Sequence, residues 1–194
     1  MMLIDISQEV RSCRVFPGDL PPTCQRVLSI ENGDVCNLTN ISMCAHNGTH
    51  IDAPYHFIPD GKTVDQIDLT AFVGECYVAR RDGNLTAKDA AEIMQAARQQ
   101  DAAERVLIAG KAVMTPEAAC VFAEARLLLI GNESQTFGPE DAPETVHRIL
   151  LGAGIVLLEG IVLTDAAEGR YFLSAAPLNL GGCDGAPCRA YLIR

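Results

Sequence analysis

The stretch RVLIAGKAVMTPEAACVFAEARLLLIGNESQTFGPEDAPETVHRILLGAGIVLLEG, residues 105–160, decides the fold class. It opens on an apolar run at residues 105–109, and two more such runs follow at 127–130 and 155–158. Runs this short, with no polar alternation, suit strands buried on both faces. Between them lie helix signals. Thr115-Pro116-Glu117 starts a helix with a capping hydroxyl and a proline at the first helical position. Residues 143–151 form the next helix, stopped by Gly152 and Gly154. Gly152-Ala153-Gly154 resembles the start of a dinucleotide fingerprint, but it follows a helix and precedes a strand, the reverse of what phosphate cradling needs. Toward the N-terminus, Thr86 opens another helix with Asp89 as a capping-box-like partner and Ala90, Ile93, Met94 and Ala97 as its apolar face. Residues 3–6, 76–79, 171–175 and 189–193 read as further strands, and Phe16-Pro17-Gly18-Asp19 as a turn. Strands predominate early and alternate with helices later, which predicts an α/β fold with a mixed sheet. No internal repeat, low-complexity tract or linker interrupts the chain, so residues 1–194 are expected to form one domain.

The bulk properties exclude some functions. With 194 residues, 48% apolar and 21% charged, the chain is large enough for a sizeable core and ordinary for a globular protein. A net charge of −10 argues against nucleic acid, which needs clustered Lys and Arg. The first ten residues have neither a basic start nor an apolar run of signal length, and no stretch approaches the roughly 20 apolar residues of a membrane span. The expectation is a cytoplasmic protein without membrane contact, its eight cysteines free thiols. No Cys-x-x-Cys pair occurs; Cys183 and Cys188 flank an Asp-Gly turn and read as structural rather than as a zinc knuckle.

The chemistry concentrates in His46-Asn47-Gly48-Thr49-His50-Ile51-Asp52-Ala53-Pro54-Tyr55-His56, which holds three of the four histidines. Gly48 and Pro54 disfavour a helix. In a near-extended chain His46, His50, Asp52 and His56, all even-numbered, share one face. Imidazole nitrogen and carboxylate oxygen suit zinc, manganese and iron. The fourth histidine, His147, lies mid-helix beside Val146 and Leu150, and Glu159 interrupts two apolar runs at a strand end. A carboxylate buried in such a run needs a cation or strong donors. Taken alone, His147 reads as a packed or surface histidine, and Glu159 equally as a solvated turn residue.

The His46–His56 stretch resembles the signature of the cyclase and kynurenine formamidase (arylformamidase) family of metal-dependent hydrolases, which includes isatin hydrolases. The resemblance extends through Pro17-Gly18-Asp19, His147, Glu159 and Ala176-Pro177-Leu178. It implies a swivelling β/β/α domain, metal ligands at His46, His50, Asp52, His147 and Glu159, and a catalytic histidine at His56. It also implies one or two divalent ions, zinc first and manganese second. The reaction implied is hydrolysis of a small amide-type substrate, N-formylkynurenine being the family type in tryptophan catabolism. Metal-bound hydroxide would attack the carbonyl, with His56 as general acid and base. Phe16, Pro17 and Asp19 are the candidate substrate contacts. A homodimer or higher homo-oligomer is implied, with the Phe16-Pro17 turn expected to approach a neighbour's site. The chain departs from formamidases in its short segment between Arg105 and Thr115, in Glu133-Ser134-Gln135-Thr136 where many members have Asp-x-x-Ser, and in having Phe16 where they often have Trp. Two alternatives stay open: a lactone or imide/lactam hydrolase using the same site, and a non-catalytic protein binding metal or a small ligand on the same scaffold.

Overall fold

The computed structural model describes residues 1–194. In chain order the strands and helices are β1 (Leu3–Asp5), β2 (Thr23–Leu28), β3 (Leu38–Ser42), β4 (His50–Asp52), β5 (Val73–Arg80), β6 (Gly83–Leu85), α1 (Ala87–Gln99), β7 (Arg105–Ala109), β8 (Ala112–Met114), α2 (Pro116–Ala125), β9 (Leu129–Asn132), α3 (Glu144–Gly152), β10 (Val156–Glu159), β11 (Gly169–Ser174), β12 (Gly185–Pro187) and β13 (Tyr191–Ile193).

Nine strands form one mixed sheet in the order β1-β13-β11-β5-β7-β9-β10-β4-β12. The central β5, β7, β9 and β10 run parallel, and antiparallel strands extend the sheet on either side. The apolar runs alternate between two cores. Val106, Ile108, Ile130 and Leu157 pack with α1, α2 and α3, whereas Leu107, Leu129, Val156 and Leu158 pack on the other face. That second core also takes Ile4 and Leu192 from one end of the sheet and Ile51 and Ala186 from the other. The sheet is therefore curled around its helix-free face, and the expected mixed-sheet α/β fold is the one observed.

The helices follow their local signals. Thr86 and Asp89 close a capping box at α1, whose buried residues are Ala90, Ile93, Met94 and Ala97. Thr115 caps α2 ahead of Pro116. Strand bounds shift slightly: β9 begins at Leu129 rather than 127, because left-handed Arg126 ends α2 and Leu128 first bonds back to Glu104. Six strands are not anticipated by the sequence reading: β2, β3, β4, β6, β8 and β12. Four of these have only three residues, too few to show a period. The other two, β2 and β3, form a separate two-stranded ribbon with almost every residue exposed, so no buried face patterns them. No helix is long and apolar enough to cross a membrane.

Candidate metal centre

Strand register gathers the polar residues. In the β4–β10 pairing His50 stands opposite Glu159 and Asp52 opposite Leu157. Opposed residues project to the same side of a sheet. Leu157 belongs to the helix-side core, so His50, Asp52 and Glu159 face the helices as well. On α3, His147 is buried next to the core residue Val146 and turns toward them. This places the centre at the carboxyl end of the last parallel strand, where antiparallel pairing begins.

His50, Asp52, His147 and Glu159 are each at most 2% exposed. His50 Nε2 is 3.3 Å from Asp52 Oδ1 and 3.5 Å from Glu159 Oε2. His147 Nε2 is 3.2 Å from Glu159 Oε1 and 3.6 Å from Asp52 Oδ2. Behind each ring a backbone carbonyl holds Nδ1: Gly48 O at 3.0 Å for His50 and Pro143 O at 2.9 Å for His147. A nitrogen facing a carbonyl must carry the proton. In a neutral ring Nε2 then points a lone pair at a carboxylate oxygen, acceptor against acceptor. Only a cation between them resolves this, either a second ring proton or a metal ion. Two buried carboxylates whose only ion-pair partners are histidines make the same demand. The donor set fits a divalent metal.

Without a metal, protons must supply the cation. Burial pulls the His50 pKa down, but hydrogen bonds and charge from Asp52 and Glu159 outweigh it and hold it at about 9. Burial opposes charge at His147 too, and Glu159 with Asp52 raises its pKa on balance. Burial alone would raise Asp52, yet His46 and His50 keep it well below the usual carboxylate range.

The near-extended geometry expected for residues 46–56 is corrected. Only His50–Asp52 is strand; residues 45–49 turn through Gly48, at φ +67°, and Pro54–His56 is one 3-10 turn. The alignment comes from chain reversals on both sides of β4 rather than from even spacing. Thr49 fixes the first reversal, donating to Gly160 O at 2.7 Å and accepting from Gln8 N at 2.9 Å. His46 then folds back over β12, where Gly185 leaves room: a Cβ there would lie 2.8 Å from His46 Cε1. His46 Nδ1 meets Asp52 Oδ1 at 2.8 Å, and His56 stacks on His46 with ring centres 4.1 Å apart. Burial disfavours a charged His46, but Asp184 and Asp52 hold its pKa up at about 11.

All five expected ligand positions and His56 therefore border one small cavity or its floor. The cavity, about 240 Å³, is lined by Phe16, Asp19, Phe57, Gln135 and Thr136 beside the four histidines and Glu159. Pro17 is exposed and outside this lining. Proline's ring turns outward while its neighbours Phe16 and Asp19 turn in. Phe16 lines the cavity of its own chain. Phe57, Gln135, Thr136 and Asp184 are missed by the sequence reading. Gln135 and Thr136 sat in a segment recognised only as divergent, and Asp184 in a pair read only as a turn.

This sheet, curled around one core and carrying a His/Asp/Glu centre at its parallel edge, defines a class. Residues 4–138 match the family described as "Putative cyclase", and the chain belongs to that family. It is 34% identical to the kynurenine formamidase of Salinibacter ruber, over 99% of this chain and 97% of the relative. A solved structure described as a potential metal-dependent hydrolase with cyclase activity is 27% identical, with a TM-score of 0.80 over 98% of this chain and 96% of that one. Isatin hydrolase A from Labrenzia aggregata shares the fold, with a TM-score of 0.80 at 24% identity over 98% of this chain and 93% of its own.

Proposed function

We propose that this chain is a metal-dependent hydrolase of small amides, an arylformamidase acting on N-formylkynurenine. The observation that carries the metal reading is the acceptor-against-acceptor arrangement of His50 and His147 with Asp52 and Glu159, which calls for a cation. The substrate class rests on the kynurenine formamidase relatives.

His50, Asp52, His147 and Glu159 hold the ion, and His46 joins them through Nδ1, the nitrogen beside Asp52. Imidazole and carboxylate donors suit zinc first and manganese second. When bound, such an ion polarises a carbonyl and acidifies water to a pKa of about 7. His56 is partly exposed at the cavity and has only its Nδ1 engaged, so Nε2 remains to take a proton from the attacking water and return it to the leaving amine. Phe16 and Phe57 give the cavity its apolar wall and receive the aryl group.

The test is metal analysis of the purified protein followed by hydrolysis assays on N-formylkynurenine, simple formanilides, imides and lactones, before and after chelation. Formamide cleavage that stops on chelation and returns with zinc or manganese is expected. Faster turnover of a lactone or imide would reassign the substrate, and metal uptake with no turnover at all would make the protein a binding protein.

A further inference from the structure

Asp184 lies outside the residues that the family resemblance assigns to the site, yet a single oxygen of its carboxylate meets two of the histidines. Oδ2 is 2.8 Å from His46 Nε2 and 3.2 Å from His56 Nδ1. We infer that Asp184 is a positioning residue that sets the tautomers of His46 and His56 together, joining the metal-side ring to the acid–base ring. This rests on the role proposed for His56.

An ionised carboxylate only accepts, so both ring nitrogens facing it must donate. His56 then carries its proton on Nδ1 and leaves Nε2 bare, as a base requires. His46 carries its proton on Nε2, which turns the Nδ1 lone pair toward the centre beside Asp52. One carboxylate edge can serve both rings because they are stacked, 29° from parallel. Asp184 is 43% exposed, enough water contact to stay ionised, while its backbone is pinned to the histidine-bearing segment. Asp184 O accepts from Ala53 N at 2.9 Å, Cys183 O accepts from Val64 N at 2.9 Å, and Gly182 N donates to Asp65 at 2.9 Å. Gly185, next in the chain, is the residue whose missing Cβ lets the His46 ring approach. An ordinary half-exposed ion pair contributes little and would leave both tautomers free. The shared oxygen and the pinned backbone make Asp184 a fixed reference for both rings instead.

The experiment uses the zinc-loaded protein, which is diamagnetic, labelled with nitrogen-15. Long-range proton–nitrogen correlation spectra read the tautomer of each histidine. In the unaltered chain His56 should carry its proton on Nδ1, and in Asp184→Ala that preference should be lost. The same substitution should lower kcat on N-formylkynurenine about 10–100-fold with little change in KM, as loss of an outer-shell carboxylate does. Combined with His56→Ala it should add little further. An Nδ1-protonated His56 that persists in Asp184→Ala overturns the inference, as does an unchanged kcat in that variant when His56→Ala is impaired. Full activity in His56→Ala would instead sink the proposed role of His56, and the spectra would still decide what Asp184 does. If the alanine variant does not fold, Asp184→Ser, whose hydroxyl is too short to reach either ring, is judged by the same spectra.

Discussion

His50 and Glu159 stand directly opposite one another on antiparallel β4 and β10, with Nε2 and Oε2 3.5 Å apart. Register puts an imidazole from the early signature and a carboxylate from late in the chain on one face, within reach of one ion. Glu159→Gln keeps the shape and removes the charge. Because Glu159 also accepts from Phe137 N at 3.0 Å and faces His147, the amide leaves the buried rings without a full counter-charge. Metal affinity should fall by more than the roughly 10–100-fold that losing an outer-shell partner costs. Calorimetric titration of stripped protein with zinc measures it, and an affinity within a few-fold of the unaltered chain would remove Glu159 from the centre.

Stripped of metal, the protein should lose stability as the pH rises. His50 titrates at about 9 in the fold against 6.5 for a free imidazole. A raised pKa means the charged ring favours the fold, a contribution complete below pH 6.5 and lost as pH climbs through 9. His46, held at about 11, extends the same trend upward. Thermal melts of chelator-treated protein across this window should show falling midpoints, while metal-loaded protein stays flatter because the ion replaces the protons. A midpoint that rises with pH in the stripped protein would contradict the buried-cation argument.

His56→Ala should separate chemistry from metal binding. Its side chain is 28% exposed, and neither of its nitrogens is within ion-pair distance of Asp52 or Glu159. Metal content should stay near that of the unaltered chain while turnover drops about 10²–10⁴-fold. Simultaneous loss of metal would make it a ligand, in line with the cluster it forms with His46 and Asp52.

Gly185→Ala should damage the site without replacing any ionisable group. The added methyl would lie 2.6 Å from Ile51 O and 2.8 Å from His46 Cε1, so either β12 or the His46 ring must move. A cost of about 1–3 kcal/mol in denaturant unfolding is expected, with weaker metal binding. Gly181→Ala, which meets nothing within 4 Å, serves as the control and should stay within about 0.5 kcal/mol. Equal effects in the two variants would show that the clash is relieved freely.

Assembly should enlist the β2–β3 ribbon. It exposes Val27, Leu38 and Ile41 along its strands, with Ile30 and Val35 in the connection, a concentration of exposed apolar side chains on one ribbon that an interface would cover. Light scattering should return a multiple of 20.8 kDa, and Leu38→Asp with Ile41→Asp should lower it. A mass of 20.8 kDa for the unaltered chain would leave the ribbon without this role.

Local physics made much of this protein legible in its sequence. The capping box of α1, the Thr115-Pro116 start of α2 and the doubly buried runs of β7, β9 and β10 depend on neighbours within a few residues, so periodicity and caps reveal them. The residue types of the centre were legible as well, because three histidines and an aspartate within eleven residues have few structural uses. What only the tertiary structure decided is how they meet. The reversals at Gly48 and Pro54, not an extended face, align His46 and His56, and β4 is three residues long, too short to announce its pairing. The burial of Glu159 and His147 follows from α3 packing beside β10 and from the register of β4 with β10, a relation across more than a hundred residues that no window of sequence contains. Asp184 is the extreme case. An Asp-Gly pair is a turn by any local criterion, and its tie to two histidines exists only because the sheet curls to bring β12 beside β4.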